Sequence, residues 1–154
     1  MVKIEFSEDK GLVQSAGSGI NYKNQTVRGI SQRVIKGTGS AKRIQLSADD
    51  SHSFCIWGGS DATHFTLPAI QEGLRFTFFA LTTHAHKLLG GASKMQGSVI
   101  HNANGTTITR QAVSDDTSIT LHSSNSAVSD YIEVWCDGTN WYVEARTNDA
   151  ATIA

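Results

Sequence analysis

From Ala41 onward the chain repeats one pattern: short runs alternating polar and apolar residues, each ended by Gly, Asn, Asp or Ser. On an extended strand successive side chains point to opposite faces, so a period of two selects half-buried β-strands. Such runs are Arg43–Leu46, His64–Leu67 (stopped by Pro68) and Leu74–Leu81, and Phe54–Trp57 is a short apolar run stopped by Gly58-Gly59. Others fit Ser98–Ile100, Thr106–Thr109, Ser118–Leu121, Tyr131–Cys136 and Trp141–Ala145. Asp137-Gly138-Thr139-Asn140 lies between two aromatic-rich runs and marks a hairpin. Across it, Ile132, Val134 and Cys136 share one face and Tyr131, Glu133 and Trp135 the other. A helical period fails nearly everywhere; only Ala85 to Met95 has room for a short turn, and Gly90-Gly91 weakens it. The expected fold is all-β, an antiparallel sandwich or barrel of jelly-roll type.

Composition narrows the class further. The 154 residues are the length of one domain, with or without an arm. No apolar run approaches the ~20 residues of a membrane helix. The start, MVKIEFSEDK, lacks the apolar core of a secretory signal, so synthesis in the cytoplasm is expected. Neither collagen nor a coiled coil nor a charge-driven disordered chain has this composition.

The formal net charge of −1 conceals an asymmetry. Between Lys10 and Leu46 there are seven basic residues, Lys10, Lys23, Arg28, Arg33, Lys36, Lys42 and Arg43, and no acidic ones. From Ser47 to the end five basic residues face eleven acidic ones, a net of −6. Two regions of opposite sign read as two surfaces with different neighbours. Residues 1–40, poor in apolar residues, are expected to form an N-terminal arm or outer docking strands, and residues 41–154 the β-body. Seven charges spread over this stretch, with Tyr22 alone for stacking, disfavour nucleic acid; an acidic protein surface fits at least as well.

Residues that carry chemistry are sparse. Cys55 and Cys136 sit inside apolar runs and read as small buried hydrophobes, with a disulfide between them as the alternative. Asp49-Asp50 and Asp115-Asp116 are adjacent pairs, whose side chains diverge on an extended chain, so neither is an acid/base dyad. No GxxxxGK[ST], GxSxG, HExxH or CxxC occurs. No enzyme and no cofactor is specified.

From Thr66 on, the chain resembles small β-domains of bacteriophage virion proteins, found in capsid decoration (cement) proteins and in head or tail fibres. The residues that carry the likeness are Thr66-Leu67-Pro68 leading through Gly73 to Phe76-Thr77-Phe78, then Gly97-Ser98-Val99-Ile100, and the closing Tyr131–Val143 hairpin with Asp137-Gly138-Thr139-Asn140-Trp141-Tyr142-Val143. The resemblance implies a homotrimer, no catalysis and a place on the virion. Phe76, Phe78, Trp135, Trp141 and Tyr142 would then serve core or subunit packing. A chain without repeats or a shaft-like segment fits a decoration protein whose basic arm docks on the major capsid protein. The alternative is a fibre-tip or head-fibre module for host glycans, with Trp57, Trp135, Trp141 and Tyr142 as stacking candidates. His84-Ala85-His86 is similar to the His-x-His iron sites of phage spikes and fibres. Two imidazoles two apart on a strand share a face, and a trimer would supply the missing ligands.

Overall fold

A computed structural model describes residues 4–7, 11–14, 32–39, 42–91, 94–102, 107–122 and 128–154. The chain divides into two compact units, residues 1–31 and residues 32–154. Within the first, β1 (Ile4–Ser7) and β2 (Gly11–Gln14) pair antiparallel as a hairpin.

The second unit is a body of two mixed β-sheets. It begins earlier than residue 41, because β3 (Val34–Gly37) is already a strand of the seven-stranded sheet. β4 (Arg43–Gln45) belongs to the five-stranded sheet, β5 (Phe54–Trp57) to the first again, and β6 (His64–Thr66) to the second. β7 (Arg75–Ala80) and β8 (Lys87–Leu89) repeat the step. The chain therefore winds three times between the sheets. Val34 lies beside Phe54 and Phe54 beside Thr77, while Arg43 lies beside His64 and His64 beside Lys87.

All four of these pairings are parallel, which corrects the expected antiparallel sandwich. No tight hairpin turn joins successive strands here; each connection carries the chain to the opposite sheet. The next strand in the same sheet then runs in the same direction, with the other sheet's strand serving as the crossover.

The remaining strands close the body. β9 (Met95–His101) and β10 (Thr109–Asp116) pair antiparallel, and β11 (Ser118–Thr120) joins the five-stranded sheet beside β8. β12 (Tyr131–Cys136) and β13 (Trp141–Thr147) form the hairpin expected around Asp137–Asn140, inserted between β7 and β9. β14 (Thr152–Ile153) ends the five-stranded sheet. The only helical segment among the described residues is a 3-10 turn at Ala48–Asp50, and residues 87–89, where a helical turn had room, are a strand.

Both sheets bury one face against a shared core. Trp57, Phe65, Phe76, Phe78, Leu88, Ile132, Val134 and Trp141 are fully buried. Trp57 lies 5.4 Å from Phe78 within its own sheet and 5.9 Å from Phe65 across the sandwich. Cys55 and Cys136 are buried free thiols, with no disulfide between them. Burial pushes the Cys55 thiol up to about 12, so it remains protonated and inert at neutral pH.

Candidate functional site

Two surfaces of the body concentrate chemistry. The first is the end formed by the first circuit. β3 and β4 are edge strands, one in each sheet. Lys36, Lys42 and Arg43 are exposed there. Arg33 is exposed as well, and its guanidinium pairs with the Asp50 carboxylate. The second Asp50 oxygen accepts from the Ser47 amide at 2.9 Å and the Ser47 hydroxyl at 2.8 Å. Burial pushes the Asp50 carboxyl up, but these hydrogen bonds and Arg33 outweigh it and hold the group below its ordinary range. Arg33→Ala is therefore expected to lose about 1 kcal/mol of stability, measured by urea unfolding, because Asp50 keeps its Ser47 partners. Lys10, Lys23 and Arg28, expected to share the docking role, lie outside the described residues.

The histidine pair behaves otherwise than expected. Residues 81–86 form a loop before β8 rather than a strand, although the two rings still meet edge-on at 5.7 Å. His86 is buried and stacked on Trp57 at 5.6 Å. Its Nδ1 accepts from the Thr63 amide at 3.1 Å, and its Nε2 faces the Thr82 hydroxyl at 3.0 Å and carbonyl at 3.2 Å. Nδ1 as acceptor leaves the proton on Nε2, so both nitrogens are engaged and neither is open to a metal. Among the described residues no group of three or more His, Cys, Asp or Glu is placed to hold an ion.

The second surface is the outer face of the seven-stranded sheet over β12, β13 and β9. Alternation sends Phe76, Phe78 and Trp141 into the core and leaves Trp135 outside, 41% exposed. Trp135 and Tyr142 are directly opposite across the hairpin and stack at 6.3 Å with 21° between their planes. Trp57, the other stacking candidate, is fully buried along with Trp141. Of the four aromatic residues expected to stack on sugars, the fold thus presents two. A period of two groups them correctly, but both faces of this hairpin carry aromatics, and the sequence does not mark which faces water.

This aromatic pair is held by charged neighbours. The Tyr142 hydroxyl donates to Asp137 Oδ2 at 2.9 Å. Asp137 Oδ1 accepts from the Thr139 and Asn140 amides, both at 2.8 Å. The Asn140 and Thr139 amides, then Tyr142, lower the Asp137 carboxyl, and the hydrogen bond to Asp137 raises the Tyr142 phenol. Glu133 accepts from Arg75 through Oε1 and from the Tyr131 hydroxyl, at 2.8 Å, through Oε2. Burial pushes Glu133 up, yet the Tyr131 and Arg75 hydrogen bonds prevail and keep it ionised below the usual range. Glu144 faces Glu133 across the strands and is paired with Arg146 at 3.4 Å. Next to Trp135 and Tyr142 the surface dips into a concavity of about 450 Å³, bordered by Gln96, Ser98, Arg110 and Glu144. The arrangement offers a preset aromatic shelf with donors and acceptors at its rim. It does not offer a nucleophile beside a base.

No protein-family model, curated protein or solved structure matches this chain.

Proposed function

We propose that this is a non-enzymatic structural protein of a bacteriophage virion, a capsid decoration (cement) protein. In this reading it is made in the host cytoplasm and assembles as a homotrimer on the outer capsid surface. It stabilises the shell by docking on the major capsid protein through its basic N-terminal region. The observation that carries the reading is the gathering of Lys36, Lys42 and Arg43 on the first circuit, at the two sheet edges of one end of the body. Edge strands offer unpaired backbone groups, and lysine and arginine beside them repel like copies while attracting an acidic partner. Residues 47–154 carry a net charge of −6 and face away in this arrangement. Three copies per trimer would multiply weak single contacts. The likeness of the Thr66–Phe78 and Tyr131–Val143 segments to phage β-domains supports the same assignment.

The test uses the full chain and purified capsid shells. Lys36→Glu, Lys42→Glu and Arg43→Glu combined should weaken co-sedimentation with shells at least tenfold. Wild-type binding should itself fall as salt shortens the Debye length from about 10 Å to about 3 Å. Unchanged binding by the triple variant would refute docking through this end. Sedimentation equilibrium should give three times the 16.6 kDa chain mass.

A second reading, a fibre-tip or head-fibre module for host glycans, is favoured by one observation: the exposed Trp135–Tyr142 shelf.

A further inference from the structure

We infer that the outer face of the β12–β13–β9 sheet is a binding site for a neutral saccharide, seated on Trp135 and Tyr142. The inference deepens the glycan-binding reading by naming the place and the ligand class, and it does not depend on capsid docking.

Three features select this ligand. The first is the shelf itself. An exposed tryptophan stacked on a tyrosine presents a broad apolar plane that loses little conformational freedom on binding, as these rings turn about only two side-chain torsions. The Tyr142 ring is further fixed through its hydroxyl on Asp137, so the cost of ordering it has been met in the free protein. A pyranose ring has an apolar C–H face of matching shape.

The second feature is the charge balance. The carboxylates beside the rings already have partners: Glu133 holds Arg75 and Tyr131, Asp137 holds the Tyr142 hydroxyl and two backbone amides, and one Glu144 oxygen lies 3.4 Å from Arg146, leaving its second oxygen to accept. A polyanion would need several free cations. Among the described residues Arg110 is the guanidinium on the rim without an ion pair, and Glu144 lines the same concavity. A face carrying paired charges of both signs favours neither ion.

The third feature is the rim. Gln96 donates its amide nitrogen to Asp115 at 2.7 Å, which directs the amide oxygen elsewhere as an acceptor. Ser98 can donate and accept, Arg110 donates, and Glu144 accepts. Hydroxyl groups, each donor and acceptor at once, match such a mixed set. The concavity is open to solvent, so a ligand there would lie against the rings rather than be enclosed.

The experiment is an array of glucose-, galactose- and mannose-terminated oligosaccharides with sialylated counterparts, probed with the full chain. Calorimetric titration of the best binder follows. Expected are binding of a neutral oligosaccharide, at least tenfold weaker binding by Trp135→Ala and Tyr142→Ala, and retention within about threefold by Trp135→Phe, which keeps a ring. Circular dichroism and sedimentation of each variant accompany the titration, and Arg110→Ala, at an exposed position, gives a further reading if a ring variant fails to fold. It should weaken binding several-fold.

Absence of any neutral binder overturns the inference, as does binding confined to sialylated glycans. So does full affinity in folded Trp135→Ala. A lower sedimenting mass in Trp135→Ala would instead make this face a subunit contact and also overturn it. The capsid-docking proposal stands or falls on the Lys36, Lys42 and Arg43 variants, so the two failures are distinguishable.

Discussion

Replacing Gly97 by alanine is expected to destabilise the body by about 3–5 kcal/mol, seen as a urea midpoint lowered by roughly 2 M. Gly97 lies in β9 beside Val143 of β13, where the strands run parallel. Its φ is +144°, in a region that side-chain-bearing residues rarely adopt. A Cβ built there would stand 2.0 Å from the Val143 carbonyl oxygen and 2.9 Å from its carbonyl carbon. Those atoms belong to a central strand hydrogen-bonded on both sides, so they cannot give way without breaking the ladder. The backbone strain and the overlap each contribute about 1–3 kcal/mol. Gly73→Ala separates them. Its φ is +83° with nothing within 4 Å of the added Cβ, so that variant should show backbone strain alone, about 1–2 kcal/mol. Equal effects at the two positions would refute a close approach of β9 to β13. Because Gly97 also lies beside the Trp135–Tyr142 concavity, a folded Gly97→Ala protein should bind saccharide more weakly as well.

The same β9–β13 contact shows where the sequence is readable and where it is silent. The β12–β13 hairpin is plain, because a four-residue turn and two alternating runs specify it locally. Its pairing with β9 is not, since Gly97 looks like any strand glycine until its neighbour is known. The parallel circuits are hidden for a related reason. Cys55 and Trp57, like Phe76 and Phe78, point inward at every second position whichever way their neighbours run. Alternation reports the face of a strand and carries no information about its direction. β8 escapes detection because only Leu88 of its three residues is fully buried, and Gly90-Gly91 follows directly. The candidate surfaces are legible as residue types and not as places. Arg33 belongs with the basic stretch by charge, and that it also pairs with Asp50 is not readable from the charge pattern. Trp135 and Trp141 are alike as tryptophans until the phase set by Ile132 and Val134 puts one outside.

His86 gives the second large effect, a fall of about 3 kcal/mol in unfolding free energy between pH 6.5 and about 4. Burial is the main cause of its depressed pKa of about 4, and the neighbouring His84 and His64 add like-charge repulsion. The hydrogen bond from Nε2–H to the Thr82 carbonyl acts in the opposite direction without overcoming burial, whereas the bond that Nδ1 accepts from the Thr63 amide is broken by protonation and so favours the neutral ring. In the unfolded chain the imidazole takes a proton near pH 6.5, and in the folded chain it resists until about pH 4. The unfolded state binds more protons throughout that window, so its contribution to stability is whole above pH 6.5 and is lost as pH falls. His64, lowered by burial and then by Arg43 and Lys87, acts with the same sign. Asp50 and Glu133, held below their ordinary values, release their share only at lower pH, below about 4. His86→Gln isolates the effect, because an amide can accept from Thr63 and donate to Thr82 but cannot titrate. The variant should be less stable than wild type at pH 7, having lost the ring stacked on Trp57. Its stability should nevertheless change much less between pH 6.5 and 4. A slope as steep as the wild type's would show that the acid sensitivity arises elsewhere, whereas a flattened one would assign it to the imidazole that joins Thr63 to Thr82 in the core.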